Sequence, residues 1–288
     1  MKKIHVGFLL SYDYDKLKLS IPPVYKDTDR IFLAIDENLT TWTGNKFEVD
    51  PAFFDWLKEY DVDNKIEIFR DNFYVPELSA IDMDSRERHL LSLKMGIGNW
   101  LVQVDSDEYF IDFKKFVADL RKHDHLLDNP EENKIQIAAF WIIIYKYTQN
   151  GILYVDKPMK AIFATNYPNY TCARRTDERT IYTDNIVLHE SLSRDEQALR
   201  FKLNNWGHSD EVNDSFLKKW IAVDETNYHQ YSDFYYVEPQ RWKKLGYFPT
   251  KKMEEIKAIV QKSKRLQISE GALFLKNLGQ WFKFRGKK

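Results

Sequence analysis

From Ile4 to about Tyr145 short apolar runs alternate with amphipathic stretches, which restricts the chain to an α/β architecture: a mostly parallel, Rossmann-like sheet flanked by helices. The runs Ile4–Leu10, Arg30–Ile35, Lys65–Phe69, Trp100–Val104 and Ile135–Ile144 read as strands. Pro51–Tyr60, Asp84–Ile97 and Asp112–Lys122 read as the covering helices. Asp112 supplies a cap, and Phe113, Phe116, Val117 and Leu120 share one face behind it. Beyond Tyr147 the alternation stops. Residues 150–190 read as turns and short strands, and Ser193 opens a helix through Asn205 that Gly207 ends with a left-handed cap.

With 43% hydrophobic and 30% charged residues, 288 residues suffice for one large core and exclude a disordered or fibrous protein. The apolar start is short and runs into Tyr12-Asp13-Tyr14-Asp15, so it reads as a buried strand, not a signal peptide. Ile135 to Tyr145 falls well below the ~20 residues that span a bilayer. A lone cysteine, Cys172, can form neither an internal disulfide nor a zinc cluster and suits a reducing compartment. A cytoplasmic protein is expected.

Charge is unevenly spread. The total of 43 Lys and Arg against 44 Asp and Glu argues against a nucleic-acid partner. Residues 241–288 nevertheless hold 14 basic and 3 acidic side chains, leaving 29 against 41 in residues 1–240. The chain thus reads as a domain over 1–240 followed by a basic helical segment over 241–288. Within that segment, 271–288 mixes apolar bulk with cations. It suits either a helix on an anionic membrane, at the inner face of a cytoplasmic membrane, or a basic helix packed on the acidic domain.

The chemistry is concentrated where Trp100-Leu101-Val102-Gln103-Val104 runs into Asp105-Ser106-Asp107-Glu108. Side chains alternate along a strand, so Asp105 and Asp107 project the same way just past its carboxyl end, where open parallel sheets bind ligands. Two carboxylates there suit Mn²⁺ or Mg²⁺ with positions left for substrate phosphates. An EF-hand loop is excluded because Tyr109 and Phe110 stand where it needs a ligand and a glycine. An acidic turn ahead of the Asp112 helix is the alternative without chemistry.

Arg86-Glu87-Arg88-His89-Leu90-Leu91 followed by Gly98-Asn99-Trp100 and then Asp105-Ser106-Asp107-Glu108 resembles the GT-A-fold, nucleotide-sugar-dependent glycosyltransferases, in particular the family-2-like group. The likeness in layout spans about residues 4–147, which would be the nucleotide-sugar-binding part, with 148–240 on the acceptor side. It implies transfer from a nucleoside-diphosphate sugar, a UDP-sugar foremost, to a glycan or lipid-linked glycan, as in polysaccharide biosynthesis. It also implies that Asp105 and Asp107 hold the metal–diphosphate, with Ser106 among the donor contacts. Val187-Leu188-His189-Glu190-Ser191 and the helix bearing Lys202 resemble a second, weaker motif, which would make His189 a late metal ligand and Lys202 a phosphate neutraliser.

Other roles follow from residue chemistry. The fork of Arg88, or of Arg86, can pair with a diphosphate. Asp36, at the end of its strand, can accept from a ribose or base, and Tyr12 and Asp13 can flank the base. An inverting transfer needs a general base; Glu190, Asp210, Asp184 and Asp195 are candidates, with Glu190 foremost and Asp210 next. His208 is a further candidate metal ligand. The aromatic stretch Trp220–Trp242 offers rings for an acceptor sugar. Two other functions remain open: a nucleotidyltransferase or metal-dependent phosphohydrolase on a similar sheet, and a non-catalytic glycan-binding or membrane-surface adaptor.

Overall fold

The computed structural model describes residues 2–205 and 214–284. Four parallel strands form its N-terminal half: β1 (Ile4–Leu9), β2 (Arg30–Asp36), β3 (Ile66–Asp71) and β4 (Trp100–Val104), in the order β4-β1-β2-β3. Near-continuous burial of β1, β2 and β4 reflects cover on both faces, whereas the edge strand β3 is only half buried. Helices α1 (Leu17–Tyr25), α2 (Pro51–Tyr60) and α3 (Ala80–Met95) make the crossovers. The N-caps are local: Asp50 accepts from the Ala52 N–H ahead of α2, and Ser79 accepts from the Asp82 N–H ahead of α3. Helix α1 carries Pro22 and Pro23 yet stays helical, with Leu17, Ile21 and Val24 fully buried. Packing there overrides propensity.

The strand β5 (Glu108–Phe110) and helix α4 (Phe113–Arg121) follow, with Asp112 capping α4 through the Lys115 N–H. The second half of the sheet is largely antiparallel: β6 (Ile135–Tyr147), β7 (Ile152–Val155) and β8 (Met159–Thr165), with β8 lying between β4 and β6. Strand β9 (Arg179–His189) runs parallel to β6 and pairs with β5 at its far end. The α/β class therefore holds, with the parallel pairing concentrated in the N-terminal half.

Helices α5 (Glu196–Asn205) and α6 (Asp214–Ala222) precede β10 (Leu245–Phe248), which adds antiparallel to β7. Helices α7 (Met253–Lys262) and α8 (Glu270–Phe284) complete the described chain. The stretch from 241, expected as a helical appendage, thus begins with a strand of the same sheet. α7 buries Ile256 and Val260 against a cluster built on β6 and β9.

Candidate active site

β1 pairs with β2 on one side and β4 on the other, so the chain reverses its direction of growth at β1. The carboxyl ends of these strands open into a cleft of about 490 Å³. Asp105, Ser106 and Asp107 lie on its floor at the end of β4.

That floor is braced from below. Glu108, fully buried, accepts from the Asp105 N–H at 2.8 Å, while its own N–H donates to the Asp105 carbonyl at 3.0 Å. Its carboxylate also accepts from Trp141 Nε1 at 2.7 Å and from both Nη atoms of Arg174, at 2.5 and 2.7 Å. Glu108 therefore fixes the turn that aims the two aspartates.

Each aspartate is matched by cations. Arg88, from α3, donates to Asp105 Oδ1 at 2.7 Å and to Asp84 Oδ1 at 2.6 Å, with Arg174 3.9 Å from Asp105. Burial opposes the charge on Asp105, but Arg88 and Arg174 outweigh it and hold its carboxyl down at about 2. Asp107 Oδ2 accepts from Lys202 of α5 at 2.7 Å and from Arg194 at 3.0 Å. Burial again opposes ionisation, and Lys202, His189 and Arg194 together pull Asp107 well below the usual carboxylate range. Arg194 also holds both oxygens of Asp13. The result is a dry cluster of fixed charges facing the cleft, the kind of environment that stabilises an anionic leaving group without reorganising.

Tyr12, Asp13, Arg88 and Lys202 line the cleft with the aspartates, and so does His189. Asp36 also reaches it, but its oxygens are taken by four backbone N–H groups, those of Asn38, Thr40, Phe73 and Tyr74. It clasps two loops and has little left for a ribose. Arg86 lies away from the cleft, donating to the carbonyls of Asn72 and Phe73. Glu190 is buried beneath the site, paired with Lys16 and Tyr147, and does not line the cleft. Asp184 pairs with Lys115, and Asp195 accepts from the Ala198 N–H at the start of α5; neither lines the cleft. Asp210 and His208 lie outside the described residues.

Several residues in or beside the cleft carry no signal in the sequence. Arg174 and Arg194 come from loops with no periodicity, and only the closure of β8, β9 and α5 brings them to the aspartates. Trp42 donates to Glu87 at 2.7 Å, and both line the cleft near Asp36. Full burial pushes the Glu87 carboxyl up to about 8, against the opposing hydrogen bond from Trp42. Tyr235, Tyr236 and Trp242, from the aromatic stretch, supply the opposite wall, with ring centroids 4.3 to 5.9 Å apart.

Among the described residues no three His, Cys, Asp or Glu side chains converge as a closed metal site. Asp107 Oδ1 and His189 Nε2, however, stand 3.4 Å apart at the cleft floor. Two donors fall short of a closed site, so phosphate oxygens and water would have to supply most of the coordination of any divalent ion held there.

No protein-family model matches the chain, and no curated protein matches it in sequence. Among solved structures, the crystal structure of S. aureus TarS 1-349 aligns with 98% of this chain and 80% of that chain, at 10% identity and a TM-score of 0.31. That likeness is too loose to assign an activity.

Proposed function

We propose that the protein is a glycosyltransferase that moves a monosaccharide from a nucleoside-diphosphate sugar, a UDP-sugar foremost, to a hydroxyl of a glycan or lipid-linked glycan. The observation that carries this reading is the pairing of Asp105 and Asp107 with Arg88, Arg174, Arg194 and Lys202 at the carboxyl end of β4, on the floor of a cleft with an aromatic wall. Cleaving a sugar–diphosphate bond leaves negative charge on the diphosphate. Cations already held by buried carboxylates meet that charge in place. A Mn²⁺ or Mg²⁺ ion held by Asp107 and His189 would add Lewis-acid neutralisation of the leaving group.

The acceptor enters along Tyr235, Tyr236 and Trp242, whose rings suit the apolar face of a sugar. The transfer is read as inverting, which needs a base at the acceptor hydroxyl. Glu190, the foremost candidate, pairs with Lys16 and Tyr147, and Asp210, the next, lies outside the described residues.

The test is a thermal-shift panel of UDP, GDP, CDP and CTP with and without Mn²⁺, on the wild type and Asp107→Asn. A nucleoside diphosphate should raise the melting temperature in a Mn²⁺-dependent way, because a ligand of the native state stabilises it by mass action. Asp107→Asn should abolish the shift. A response to CTP alone, with pyrophosphate released on turnover, would replace the reading with nucleotidyl transfer.

A further inference from the structure

Helix α8 is oriented opposite to the usual surface helix. Its polar side chains face the protein: Asn277 accepts from the Tyr182 N–H at 2.8 Å and donates to the Tyr182 carbonyl at 3.0 Å, and Gln280 accepts from the Thr180 N–H at 3.1 Å. These amides satisfy an edge of β9 where no strand among the described residues pairs with it. The outer face carries Phe274, Leu275, Trp281 and Phe282, which are 64, 66, 45 and 59% exposed. With Leu278 they fall within a ~120° arc at 100° per residue. Lys276 and Lys283 lie on the far side of the helix from that arc, roughly 160° and 140° from its centre, with the Lys276 ammonium 5.5 Å from the Tyr182 ring centroid.

We propose that this face of α8 docks on an anionic lipid surface, with the arc sunk into the interface and the net positive charge of residues 241–288 drawing it to the headgroups. Charge selects this occupant. Residues 241–288 hold 11 more positive than negative side chains, so two copies meeting through α8 would oppose like charges, whereas an anionic bilayer offers apolar depth beneath negative headgroups. No helix among the described residues is long and apolar enough to cross a membrane. The contact is therefore peripheral. It stands independently of the glycosyl-transfer reading, since Tyr182 and His189 are seven residues apart along β9, or roughly 23 Å.

The experiment is co-sedimentation of the full chain with vesicles of phosphatidylcholine alone and of phosphatidylcholine mixed with phosphatidylglycerol, at low and high salt. The wild type should pellet with the mixed vesicles and be released by salt. The double variant Leu275→Glu and Phe282→Glu, at solvent-facing positions and checked for an unchanged melting temperature, should bind about tenfold or more weakly, because binding scales with the apolar area inserted. Failure of the wild type to pellet, or equal pelleting of the Glu variant, overturns the proposal. So does a dimer in sedimentation velocity that the Glu variant dissolves while vesicles stay unbound, which would assign the face to a second copy.

Discussion

Lys202 Nζ lies 2.7 Å from Asp107 Oδ2, closing a contact across 95 residues of sequence between α5 and the tip of β4. Both side chains are nearly dry, 8% and 3% exposed. Lys202 thus has two tasks: it keeps Asp107 ionised, and it puts a positive charge at the cleft floor. Lys202→Ala leaves Arg194 as the remaining close strong cation on Asp107, so a loss of about 2 kcal/mol of stability is expected, below the cost of stranding a buried charge outright. Nucleoside-diphosphate affinity, read by calorimetry, should fall about tenfold or more, as expected for a charge-assisted contact worth at least 1.4 kcal/mol. Unchanged affinity would remove Lys202 from the binding machinery.

The two arginines of α3 separate cleanly. Arg88, 4% exposed, holds buried Asp84 and half-buried Asp105 at once, so Arg88→Ala strands Asp84, leaves Asp105 to Arg174 alone, and should cost about 3–5 kcal/mol in denaturant unfolding. Arg86 donates to two backbone carbonyls away from the cleft, so Arg86→Ala should cost about 1 kcal/mol or less and leave nucleotide binding intact. An equal loss of nucleotide binding in both variants would contradict this assignment.

The sequence made the floor of the site legible and left the walls hidden, for a physical reason. Asp105 and Asp107 stand out because a buried strand must end somewhere, and carboxylates at its end need a partner. Helix α2 was legible to the residue because Asp50 and Pro51 mark its start locally. Arg174 and Arg194 are tertiary facts: each meets an aspartate through loop closure across 69 and 87 residues, and neither loop has a hydrophobic period to announce it. Helix α1 was hidden by its two prolines, which argue against a helix until burial of Ile21 and Val24 is known. The exposed arc of α8 was likewise undecidable, because the same amphipathic pattern serves a helix turned inward or outward. Hydrogen bonds from the β9 backbone N–H groups of Thr180 and Tyr182 to Gln280 and Asn277 set which way it faces.

Asp36 was readable as a strand-end carboxylate, but its partners were not. Four N–H groups from two loops converge on it, and their loss would free the residue 37–40 and 73–74 backbone together. Asp36→Ala leaves those donors without an acceptor and should cost about 2–3 kcal/mol. Asp36→Asn, which keeps acceptance at one oxygen, should recover part of that loss. If Asp36→Ala instead kept full stability and lost only nucleotide affinity, the residue would be a ligand contact and not a clasp.

Glu87 gives the site a pH response with a definite sign. Burial raises its carboxyl to about 8 in the folded protein, against 4.5 for the unperturbed group. Between those values the native state binds a proton that the unfolded chain has released, so stability falls as pH rises. The contribution is fully present below about 4.5 and is lost as pH passes through about 8. Glu87→Gln retains an oxygen for Trp42 Nε1, carries no charge and removes the titration. Melting temperatures measured from about pH 5 to about pH 9 should decline less steeply for the variant than for the wild type, with the two curves nearest at the acidic end. Parallel curves would mean that Glu87 is ionised throughout that range, and that Trp42 and Arg88 compensate its burial more fully than the geometry indicates.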